Sequence, residues 1–144
     1  YLPHPIGILF LYLFGFYFLI ISLEIDYRLA IIGAISFGFS SYFFIIIEAG
    51  HNTKAHSIGY LAPILASVLM VYRGKLFLGA SLTALFSALM INANHLQITY
   101  YLVILLLVVG VVHLIKAINE KKFSLFLKQS VFLIVAGLLG SLTS

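Results

Sequence analysis

Six apolar segments separated by short polar breaks make up most of this sequence, at residues 6–23, 29–47, 58–72, 76–91, 98–115 and 129–143. At 1.5 Å per residue, an 18-residue helix is about 27 Å long, close to the roughly 30 Å hydrocarbon core of a bilayer. The segments of fifteen or sixteen residues are short for a span, so their ends either take in neighbouring polar residues or lie within protein. Only 8% of the residues are charged and 63% are hydrophobic, whereas a soluble domain carries about 25% charged residues with which to coat its surface. The chain is therefore expected to be an all-α membrane protein, a polytopic bundle of about six transmembrane helices, and not a soluble domain.

Basic residues alternate between the breaks. Arg28 follows the first segment, Arg73 and Lys75 the third, and Lys116, Lys121, Lys122 and Lys128 flank the fifth break. The positive-inside rule places these three loops in the cytoplasm and leaves the breaks at 48–56 and 92–97, together with Tyr1, outside. The net charge of +4 follows from those loops and gives no reason to expect a nucleic-acid partner. The absence of cysteine excludes disulfides and thiolate chemistry. No basic run precedes the first apolar segment, which argues against a cleaved signal peptide. An outer N-terminus then predicts that residues 1–144 form one transmembrane segment of a larger polytopic protein, with the remaining helices of that protein as partners alongside membrane lipid.

Lipid supplies no hydrophobic drive between helices, so close packing needs small residues at i, i+4 spacing. Ala30, Ala34 and Gly38 form such a face on the second segment. Gly79, Thr83 and Ser87 beside Ala80, Ala84 and Ala88 do so on the fourth, and Ala136, Gly140 and Ser144 on the sixth. These three helices are expected to be central, the bulky first and fifth to meet lipid, and Pro63 to kink the third.

Two polar stretches carry the chemistry. E-A-G-H-N-T-K-A-H, residues 48–56, holds Glu48, His51, Asn52, Lys54 and His56. Lys54 is the one Lys or Arg assigned to the outer face, and it sits at a helix N-terminus, where the helix dipole disfavours a cation. A bound anion would compensate. N-A-N-H-L-Q-I-T-Y-Y, residues 92–101, supplies Asn92, Asn94, His95 and Gln97, whose amides offer donors and acceptors in fixed planes, as hydroxyl recognition requires. Two helix N-termini beside the histidines and Lys54 suit a phosphate. A simpler role for both stretches is to cap helices and hydrogen-bond their ends. His51 and His56 are five apart, unlike a zinc-binding i, i+4 pair, so no cofactor is identified and a divalent metal has no support in this segment. Ser40 and Ser41 suit helix packing, Glu24, Asp26 and Arg28 a solvated turn, and His113 a side chain reaching toward the interface. One site is expected from the two stretches, lined by His51, Asn52, Lys54, Asn94 and His95.

The runs L-P-H-P-I-G at 2–7, F-G-F-S-S-Y at 37–42, E-A-G-H-N-T-K and N-A-N-H-L-Q-I-T-Y-Y resemble the YfhO-like bacterial membrane proteins, particularly the long Bacteroidetes-type members. The resemblance implies a cell-envelope glycosylation role similar to that of GT-C glycosyltransferases, in the bacterial inner membrane. Such enzymes take sugar from a polyprenyl-phosphate donor at the outer face. His51, Asn52, Lys54, His56, Asn92, Asn94, His95 and Gln97 would then bind substrate, and Glu48, the sole outer carboxylate, would be the catalytic candidate. Two other classes fit the same residues: a lipid or polymer transporter or flippase, which needs polar groups deep in the spans, and a noncatalytic scaffold subunit.

Overall fold

The computed structural model describes residues 5–142. The expectations placed on Tyr1, on residues 2–4, on Thr143 and on Ser144 fall outside them. Among the described residues the chain forms seven α-helices and no strand: α1 (Ile6–Ser22), α2 (Tyr27–Gly38), α3 (Ser41–Glu48), α4 (Asn52–Tyr72), α5 (Leu76–Asn92), α6 (Leu96–Asn119) and α7 (Phe123–Leu142).

The expected all-α class holds, with two changes to the element pattern. The second apolar segment is not one helix. It breaks after Gly38, where Ser40 is extended (φ −60°, ψ 133°), and α2 and α3 meet at 41°. The polar stretch at 52–56 is not a loop but the first turns of α4, which runs unbroken through Pro63. Small Ala55 and Gly59 let these turns bury against α1.

The reversals between helices share one local device. Glu24, Gly50, Gly74, Asn94 and Lys121 all have positive φ, one in each of the five tight turns. After α3, α4 and α6 the two N–H groups beyond the helix fold back onto its last turn. Lys75 N donates to Met70 O (3.0 Å), His51 N to Ile46 O (3.2 Å) and Lys122 N to Ala117 O (2.8 Å). This left-handed cap satisfies carbonyls that the helix end leaves unpaired. The α2–α3 break lacks it, so the chain bends there without turning back.

Three helices, α4, α6 and α7, are long and apolar enough to cross a membrane, and the bent α2–α3 pair makes a fourth if it is one span. Helices α1 and α5, at 17 residues each, are about 25 Å long. Apolar side chains such as Leu107, Val108 and Val112 cover the outside of α6, the surface expected of a helix facing lipid.

The hub is α4, the third apolar segment, rather than the second and sixth, while the fourth, α5, is central as expected and packs on both α4 and α7. The most apolar stretch of α4 is 61% buried, against 11% for α6 and 17% for α7. The small-residue faces do mediate contact: that of α2 meets α1, and that of α5 meets both α4 and α7. A Cβ at Gly79 would lie 2.8 Å from Ser67 O on α4, and one at Gly140 would lie 2.8 Å from Ala84 O on α5. Helix α1 is also more than a lipid-facing element. It buries Ile8, Tyr12 and Gly15, and Tyr12 Oη donates to Ala55 O on α4 at 2.8 Å. Tyr12, Phe43 and Ile46 form one core cluster, which clamps α3 against α1 and the start of α4.

Candidate functional site: a polar cavity at one end of the bundle

The two ends of the bundle differ in chemistry. At one end Arg73 pairs with Glu24 (3.3 Å) and also donates to Ser22 O, while Glu120 pairs with Lys122 (3.1 Å) and Lys116 (3.9 Å). These are the ion pairs found among the described residues. The opposite end, about 25 Å away along α1, carries both His- and Asn-bearing stretches, with Lys54 as its one Lys or Arg. The charge segregation read from the sequence thus exists in space. The turn at 24–28 is exposed, as expected, and is also tied to α4 through Arg73, while Asp26 caps α2 by accepting from Arg28 N (2.8 Å).

The His- and Asn-bearing stretches meet around an open cavity of about 550 Å³, lined by Asn52, Thr53, His56 and Tyr60 of α4, by Asn92, Ala93 and Leu89 at the end of α5, and by Gly7, Phe10 and Leu11 of α1. The volume lies within the roughly 300–1,000 Å³ typical of small-molecule sites. The α4 contribution follows from helical periodicity. At 100° per residue, positions i, i+1, i+4 and i+8 share one face, and these are positions 52, 53, 56 and 60. His56 Nδ1 lies 2.8 Å from Asn52 O, which fixes the ring against the helix.

The same periodicity separates Lys54 from the cavity. Two residues from both Asn52 and His56, it points about 200° away from each. Its ammonium lies 5.8 Å from the centre of the Tyr42 ring, within cation–π range. Five of the expected binding residues therefore stand outside the cavity lining. His51 is a turn residue, with its N–H committed to Ile46 O. Asn94 occupies the left-handed region (φ 56°), which asparagine tolerates better than most residues. His95 precedes α6 with a buried Nδ1 that has no partner. Gln97 donates to Tyr101 Oη at 2.8 Å. Lys54 is the fifth. Glu48 ends α3, exposed to solvent. No three His, Asp or Glu side chains gather among the described residues.

Thr53, Tyr60 and the α1 wall line the cavity without being among the site residues expected from sequence. Helical phasing from Asn52 points to Thr53 and Tyr60, but nothing local signals that Gly7, Phe10 and Leu11 sit opposite. His113 stacks on Tyr72 (centroids 4.1 Å apart, 7° between planes) rather than simply reaching for the interface. The chain matches no family model, no curated protein and no solved structure.

Proposed function

We propose that this chain is a membrane-embedded segment that recognises the hydroxyl-rich headgroup of a lipid-linked substrate, with six membrane crossings, an outer N-terminus and the polar cavity at the outer face. The observation carrying this reading is the convergence of Asn52, Thr53, His56 and Asn92 on one cavity whose far wall, Phe10, Leu11 and Leu89, is apolar. Amides and a hydroxyl suit sugar oxygens, and the apolar wall suits the start of a lipid chain. A polyprenyl-phosphate-linked sugar combines the two, and a GT-C-like glycosyltransferase of the bacterial inner membrane is the enzyme class that uses one on cell-envelope polymers. Six crossings require α1, α5 and the bent α2–α3 pair to span alongside α4, α6 and α7. In this reading the cavity binds, and catalysis falls to a carboxylate that approaches it, with Glu48 the nearest candidate in sequence.

The test is titration of the protein in lipid nanodiscs with a short-chain polyprenyl-phosphate sugar. Asn52→Ala and Asn92→Ala should each weaken binding about two- to twelvefold, the worth of one neutral hydrogen bond, whereas Lys54→Met should leave it unchanged. Loss of binding in Lys54→Met, with both Asn variants normal, would move the phosphate to the Tyr42 side and refute the cavity assignment.

The break between α2 and α3 supports a second reading. Discontinuous helices are how transporters place backbone dipoles at a substrate pathway, and Ser40 sits in such a break. Labelling of a cysteine introduced at Ser40 by a membrane-impermeant reagent, slowed by substrate, would favour a transporter or flippase. Protection of that position in every condition would favour the headgroup-binding enzyme segment.

A further inference from the structure

The opposite end of the bundle carries a second cavity, of about 510 Å³, in which Arg73, Lys116 and Lys122 face a single carboxylate, Glu120. Both lysines already share that carboxylate and Arg73 pairs with Glu24, so three cations meet two carboxylates and a surplus of one positive charge remains. Beside it a groove of about 410 Å³ runs between α5, α6 and α7, walled by Val103, Leu107, Leu114 and Ile134, with Gly110 and Gly137 on its sides. Tyr72 lines both spaces, and its position is fixed by the stack on His113 and by Gln129 Nε2 donating to its carbonyl at 3.0 Å. The two spaces adjoin across this residue, the first polar and cationic at the bundle end, the second apolar toward the middle.

Small residues normally let helices close up, yet a Cβ on Gly137 would meet nothing within 4 Å. Helices α6 and α7 stay apart there, leaving a slot that runs from Val103 to Leu114, about 16 Å along α6. Ser130 Oγ, on the groove wall one residue from Gln129 of the basic cavity, is buried without a hydrogen-bond partner. A buried hydroxyl of this kind usually has a partner, and in the apolar slot the natural acceptor is an ester carbonyl.

We infer that this end of the bundle binds one anionic glycerophospholipid, with its phosphate among Arg73, Lys116 and Lys122, its glycerol ester at Ser130, and one acyl chain in the groove between α6 and α7. Basic pockets between membrane helices hold anionic headgroups through such charge complementarity. Phosphate alone would leave the groove unused, and a neutral lipid would leave the cationic surplus unmatched. The site lies at the other end of the molecule from the His- and Asn-lined cavity and stands whether or not that cavity binds sugar.

The experiment is native mass spectrometry of the purified protein with dioctanoyl phosphatidylglycerol, dioctanoyl phosphatidylcholine, glycerol phosphate and a short polyprenyl phosphate. Phosphatidylglycerol should bind about tenfold or more tighter than phosphatidylcholine, and glycerol phosphate should fail to displace it. Lys116→Ala with Lys122→Ala should cost about 25-fold for phosphatidylglycerol, about fivefold per lysine, and leave phosphatidylcholine unchanged. Both lysines are largely exposed and the fold does not rest on them. Gly137→Leu, which fills open space, should weaken both dioctanoyl lipids alike, and Ser130→Ala should weaken them but not polyprenyl phosphate. Equal affinity for the two lipids, insensitivity to Gly137→Leu, or displacement by glycerol phosphate would each overturn the proposal. Polyprenyl phosphate binding tighter than phosphatidylglycerol would overturn the choice of occupant.

Discussion

Tyr12 is the most informative single residue to perturb, because it joins α1 to α4 and lies next to Leu11 and close to Phe10 and Gly7 of the polar cavity. Its side chain is 1% exposed, its hydroxyl donates to Ala55 O at 2.8 Å, and its ring lies 4.3 Å from that of Phe43. Tyr12→Phe deletes the hydrogen bond and keeps the packing. It should cost about 1 kcal/mol, or nearer 0.6 kcal/mol if the average for helix–helix hydrogen bonds in membranes applies. Tyr12→Ala removes the ring as well. In a bilayer the unfolded side chain rests in lipid, so the transfer term largely vanishes and the cavity term remains. A void of roughly 100 Å³ at about 24 cal/mol per Å³ adds about 2.4 kcal/mol. The alanine variant should therefore lose about 3 kcal/mol, around three times the loss in the phenylalanine variant. Reversible unfolding in mixed micelles, followed by circular dichroism against denaturant fraction, measures both. The alanine variant should also lose headgroup-analogue binding, since the α1 wall is no longer held against α4. If the two variants unfold alike, or neither differs from the parent, the clamp between α1, α3 and α4 does not carry the fold and the account of the cavity wall fails with it.

Gly140→Leu should be destabilising by about 1–3 kcal/mol, the usual cost of overpacking, because its Cβ would press on Ala84 O at 2.8 Å, whereas Gly137→Ala should be close to neutral. Parallel melts of the two would show the difference. Asn94→Val forces a β-branched residue to φ 56° and should cost about 1–2 kcal/mol, while Asn94→Gly should melt at or above the parent temperature; equal melting of the two would refute the strain argument. Arg73→Met should lower stability by no more than about 1 kcal/mol, since its partner Glu24 is largely exposed, and the difference should shrink in high salt.

The sequence alone determined the class of solvent, the helical class and the segregation of charge. All three are properties of composition and local spacing. A chain with 8% charged residues has no polar coat for water, and runs of apolar residues this long satisfy their backbone in lipid only as helices. Basic residues at alternate breaks fall at one end of any up-and-down bundle. The Asn and His stretches were also legible as neighbours, because their breaks share the other end.

Tertiary contact decided the rest. Lys54 reads as part of the site while 48–56 is taken as a loop. Once burial of Ala55, Ser57 and Gly59 makes the stretch helical, a rotation of 100° per residue sends Lys54 to Tyr42 and leaves Asn52 and His56 behind. The central role of α4 was equally hidden, since Gly59 meets α1 while Ser67, about two turns on, meets α5, and no periodicity within α4 reveals two partners. Tyr12 looks like any other aromatic in a bulky apolar run until Ala55 O, 43 residues away, accepts its hydroxyl. Spacing along a chain specifies which residues share a helix face, but only the packed bundle specifies what that face meets.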